Sequence, residues 1–182
     1  LSGLNGYSGG TAVNEGTLIL SAPSIQSVLA GSLVWLDAAD TGTLTTNASG
    51  QVTLWSNKGT AGATLDAIQI TSGVGPTVLA NALNGRSVLS VDGTTALRTK
   101  NNLGIAGAMD RTIFAVGNRK NSGTNYIVHV GEGFDSRAFG IASQPQYLFA
   151  YTWIKDILFS ARANGTYEIY DFMISGSYGS AN

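Results

Sequence analysis

Cysteine is missing from this sequence altogether, which excludes disulfides, thiolate metal sites and a cysteine nucleophile in one step. That absence does not assign the chain to the cytosol, because an exported bacterial β-protein can also do without disulfides. Charge is almost as scarce: charged residues make up 12%, with 10 Lys+Arg against 11 Asp+Glu. No basic field exists to attract nucleic acid or an anionic lipid surface, so neither is an expected partner. No apolar run approaches the roughly 20 residues that a membrane span needs, and membrane insertion is not expected. Long amphipathic helical stripes are also lacking. With neither an initiator methionine nor a signal peptide, a chain starting on Leu1 is expected to be a mature product or a piece of something longer.

What the chain does have is Ser, Thr, Asn and 24 Gly, a composition that favours strands and turns over helices. Its length allows one sizeable core with a small appendage. Strands are expected at 52–55, near 68–70, at 87–91, 112–116, 126–130, 137–141, 147–154, 157–161 and 167–174, each set off by Gly- and Asn-rich turns. Strands recurring this often point to an antiparallel β-sandwich. Three units follow: a β-rung at 1–22, a polar linker at 23–32 with one helical turn over 25–29, and a main domain at 33–182. The apolar run 33–40, which stops on Asp40, is expected to open that domain as a strand. Leu33 and Trp35 would lie on one of its faces, Val34 and Leu36 on the other.

The first twenty residues carry Gly3, Asn5, Tyr7, Gly9, Gly10, Thr11, Val13, Asn14, Gly16, Thr17 and Leu18. This spacing closely resembles the autotransporter-associated β-strand repeat. The resemblance implies a large surface-exposed or secreted bacterial protein. A single rung cannot bury its own apolar face, so it must lean on further rungs, on the next domain or on another subunit. A second set of residues follows in order: 34–40, Trp55 with Asn57, Lys58 and Gly59, Pro76, 84–88 with Val91, Asp92 and Gly93, and 112–116. Together they look like the start of a laminin-G-like, concanavalin A-like jelly roll of bacterial surface proteins. That resemblance runs from about residue 33 to about residue 141 and fades beyond, so the domain's last strands are divergent or truncated.

Glycosidases on such folds flank one cleft with paired carboxylates. The sequence has only Glu15, Glu132 and Glu168, and it lacks the closely spaced acidic motif of laminarinase-type enzymes. No Gly-x-Ser-x-Gly elbow accompanies the lone His129. The chain therefore reads as a non-enzyme, with a polysaccharide hydrolase as the weakest alternative. Strand alternation over 147–153 puts Tyr147, Phe149, Tyr151 and Trp153 on one face. That face either stacks on sugar rings, fills the core or meets another subunit. The candidate ligand-binding residues are Tyr147, Tyr151, Trp153, His129 and Arg137. Laminin-G-like domains often hold calcium, and Asp37, Asp40, Asp92 and Asp135 at strand ends or turns are the candidate ligands; an Asx-turn is the plainer role for each. Apart from calcium, no cofactor is expected. The leading expectation is a carbohydrate-binding or adhesion module whose partner is a polysaccharide or glycan. The alternative is a structural subunit of an extracellular filament, in which the N-terminal strand is donated to a neighbouring copy or surface domain.

Overall fold

The computed structural model describes residues 29, 31–105, 109–120, 123, 125–131, 139–143, 147–151, 157–160 and 165–174, with residues 125, 143, 147–151, 157–160 and 174 as backbone. The described structure is all β apart from Leu29 in a helical turn and two short 3-10 helices, Thr41–Thr43 and Gly62–Leu65. Every described strand pairing is antiparallel.

The first sheet contains β1 (Leu44–Thr46), β2 (Val52–Trp55), β3 (Ala67–Gln69) and β6 (Leu97–Thr99), in the order β1-β2-β3-β6. Between β3 and β6 the chain makes a hairpin of β4 (Thr77–Leu83) and β5 (Arg86–Ser90). Its two-residue loop, Asn84-Gly85, has φ of 50° and 75°. Both central residues are thus left-handed, the conformation a tight hairpin needs and that Asn-Gly adopts at least cost. Val52, Leu65, Ala67 and Pro76 are buried around this first sheet.

The expected strand at 33–40 does not form, and none of its residues belongs to a sheet. The Asn57 side chain stands in for a partner strand. Its Oδ1 accepts the Trp35 N–H (2.8 Å) and the Gly59 N–H (2.9 Å), while its Nδ2 donates to the carbonyls of Leu33 (3.1 Å) and Gly62 (3.2 Å). The Lys58 N–H adds a bond to the Trp35 carbonyl (2.9 Å). With its backbone satisfied in this way, the segment needs no ladder. Val34, Trp35 and Leu36 are half-buried, whereas Leu33 is exposed.

The later strands form two further sheets. β7 (Arg111–Asn118) pairs along its whole length with β12 (Tyr167–Ile174). β8 (Asn125–Val130), β9 (Phe139–Ser143), β10 (Tyr147–Tyr151) and β11 (Ile157–Ser160) lie in the order β11-β10-β9-β8. The two sheets meet where Phe139 of β9 stacks on Phe172 of β12, with ring centroids 4.6 Å apart and planes at 15°. The Arg111 guanidinium lies 5.1 Å from the Phe139 ring centroid. Phe139, Ile141 and Tyr170 are buried here. The Tyr170 hydroxyl donates to Glu168 Oε2 (2.9 Å), and burial followed by this carboxylate pushes the phenol pKa up to about 12.

Alternation along β7 and β12 separates their two faces. Ile113, Ala115, Tyr170 and Phe172 are buried or half-buried, whereas Phe114, Val116, Ile169 and Met173 are exposed. Val116 and Ile169 are directly paired across the strands, so the exposed side chains form one apolar face.

Candidate ligand-binding face

β9 decides which residues share a face of the four-stranded sheet. Phe139 and Ile141 lie on the side that meets β12, so Gly140 and Ala142 belong to the opposite side. Ala142 pairs with Tyr126 on β8 and Phe149 on β10, and Gly140 pairs with His129 on β8 and Tyr151 on β10. Residues opposite one another across antiparallel strands share a face. Two rows therefore cross the sheet, one at positions 126, 142 and 149, the other at 129, 140 and 151. Tyr147, paired with Ser160 of β11, continues the same face along β10.

Strict alternation would put Tyr126 and His129 on opposite faces. The register of β8 shifts between Tyr126 and Val128, so Ile127 is an extra residue and both neighbours of the bulge change relation. Ile127 turns inward, where its Cγ2 approaches the position a Cβ on Gly117 would take. Tyr126 and His129 come together outside, with ring centroids 5.6 Å apart and planes at 68°, an edge-to-face contact. Both residues are exposed. Desolvation of the imidazole lowers the His129 pKa below its ordinary value. At the middle of each row, Gly140 and Ala142 supply almost no bulk and are buried. A Cβ at Gly140 would collide with the Val128 carbonyl, so the close approach of β8 requires glycine there.

Of the five expected ligand-binding residues, register joins His129, Tyr147 and Tyr151 on one face. Trp153 and Arg137 lie outside the described residues. Tyr126 and Phe149 are additions that simple alternation on β8 and the sequence shortlist missed. The consecutive inward pair Ile127 and Val128 was the available signal for a bulge.

Among the candidate calcium ligands, the described carboxylates Asp37, Asp40 and Asp92 are each engaged within the chain. Asp37 and Asp40 hold the Lys58 ammonium at 3.6 and 2.8 Å, and that ammonium also sits 4.4 Å from the Trp35 ring centroid. A lysine thus occupies the place where these carboxylates converge. Its hydrogen bond holds the Asp40 pKa below the usual carboxylate range, and Asp40 in turn raises that of Lys58. Asp92 accepts from the hydroxyls and backbone N–H groups of Thr94 and Thr95, forming an Asx-type turn. Those bonds, the Thr94 hydroxyl first, bring its pKa down to about 2. Asp135 lies outside the described residues. Among the described residues no three His, Cys, Asp or Glu side chains gather as a metal site. No family model matches this chain, and no curated protein or solved structure matches it either.

Proposed function

We propose that the chain is a non-catalytic carbohydrate-binding or adhesion module of a bacterial cell-surface or secreted protein, built as a laminin-G-like jelly roll behind an autotransporter-type rung. The observation that carries this reading is the meeting of Tyr126 and His129 on the face that register shares with Phe149 and Tyr151. Flat aromatic surface with a few hydroxyl and imidazole groups suits a sugar, which offers C–H faces for stacking and hydroxyls for hydrogen bonding. Glycan-array or polysaccharide pull-down binding tests it. Tyr126→Ala, Tyr151→Ala and Trp153→Ala should each weaken binding, and binding unchanged in all three would remove the site.

The exposed apolar face of β7 and β12 favours a second reading, a subunit of an extracellular assembly. On that reading the N-terminal strand of one copy covers sheet surface of the next. Light scattering of the chain with and without residues 1–22 separates the two: assemblies that disappear with the deletion support donation, and assemblies that survive it reject donation.

A further inference from the structure

On the outer side of β7 and β12, Phe114, Val116, Ile169 and Met173 together expose on the order of 500 Å² of side chain, a patch of the size that marks an interaction site. Among the strand positions of this face Asp171 alone carries charge. It is exposed and has no cation paired with it among the described residues. Whatever covers the face strips water from that carboxylate and must bring an opposite charge. Residues 1–28 contain neither Lys nor Arg, so the N-terminal strand cannot supply one. The β4–β5 hairpin can. On β5, Arg86 and Val88 share a face, and their partners on β4, Leu83 and Leu79, share it with them. Arg86 and Leu79 are exposed, and Arg86 likewise has no carboxylate partner among the described residues. The same spacing recurs on β12, where Ile169, paired with Val116, stands two residues from Asp171, paired with Phe114. With the two ribbons laid face to face, the apolar row of Val88 and Leu79 meets that of Ile169 and Val116, and Arg86 meets Asp171. Within one copy the hairpin's base is held elsewhere, by the Lys120 ammonium donating to the Ser90 hydroxyl (2.5 Å), and the β7–β12 face stays open. From this match of register and charge we infer that the occupant is a second copy of the chain, its β4–β5 hairpin docked on the β7–β12 face with Arg86 against Asp171. Two such patches bury about 1,000 Å² in total, the floor for a specific contact. The inference rests on the assembly reading above but gives this face a different occupant from the N-terminal strand.

Sedimentation velocity of the full chain over a concentration series tests it. The wild type should self-associate with a Kd between about 10 µM and about 1 mM, the range of small transient contacts. Arg86→Glu and Asp171→Arg each set like charges against one another and should weaken association at least about tenfold. An equimolar mixture of these two variants should restore it, because the reversed hairpin of one then meets the reversed face of the other. Both positions are exposed, so unchanged melting temperatures show that the variants fold. Arg98→Glu, an exposed change on β6 with the same effect on net charge as Arg86→Glu, should leave association as it was, and so should deletion of residues 1–22. A chain that stays monomeric up to about 1 mM overturns both the inference and the assembly reading. Association that the two reversals leave unchanged, or that their mixture fails to restore, overturns the inference and leaves assembly standing. An equal loss in Arg98→Glu assigns the effect to net charge, and loss on deleting residues 1–22 assigns it to the donated strand; either result overturns the inference.

Discussion

Asn57 is a neutral amide with all four of its hydrogen-bonding positions used in a turn where the residue is only 8% exposed. Its backbone N–H also donates to Asp66, whose pKa is held down chiefly by the Lys100 ammonium 2.8 Å away. Asn57→Ala should therefore cost about 2–4 kcal/mol, because it strands the N–H groups of Trp35 and Gly59 and takes a donor from the carbonyls of Leu33 and Gly62. The urea midpoint measures this, and a loss below about 0.5 kcal/mol, the range of ordinary surface changes, would show that the side chain is not what anchors residues 33–40. Asp92 gives a pH signature at the same scale. Its folded pKa of about 2 lies below its ordinary 3.8, so its contribution is fully present above pH 3.8 and is lost as pH falls towards 2. The melting temperature of the wild type should fall more steeply across that window than that of Asp92→Ala. Equal slopes would mean that the Thr94 and Thr95 bonds are not kept in solution.

At the scale of elements, β12 carries two faces with opposite roles, and mutation should separate them. Phe172→Ala removes the ring stacked on Phe139 and should cost about 3–5 kcal/mol. Ile169→Thr, at a position 80% exposed, should stay within about 0.5 kcal/mol. Comparable losses in denaturant would place both faces in the core. Strands such as 52–55 and 167–174 were legible because β-branched and aromatic residues recur between turn signals. β1 and β6 were not, since three residues carry no periodicity of their own. The run 33–40 misled for a physical reason: apolar residues need burial, but their backbone needs only partners, and Asn57 supplied these from 22 residues away. The candidate face was half legible. Alternation grouped Tyr147 with Tyr151, but the bulge at Ile127 decided that Tyr126 and His129 meet, and alternation assumes that no bulge exists.

For the molecule as a whole, low charge and an exposed apolar face act in the same direction. The formal net charge is −1 at pH 7 and the sequence pI is about 5.7, so electrostatic repulsion between copies is weak across the mildly acidic range. On the outer side of β7 and β12, Phe114, Val116, Ile169 and Met173 are 62%, 59%, 80% and 68% exposed. Patches of this kind associate most readily where net charge vanishes. Turbidity of the concentrated chain should therefore peak near pH 5.7. The double substitution Ile169→Lys and Met173→Lys raises the formal charge by two and flanks the outward Asp171 with opposite charge on its own strand, at positions where neither side chain contributes to the core. It should move the turbidity maximum to higher pH and also lower its height. A maximum that shifts without losing height would assign association to net charge alone. One that loses height without shifting would assign it to the apolar face, and Val116→Thr, which leaves the charge untouched, should then lower it as well.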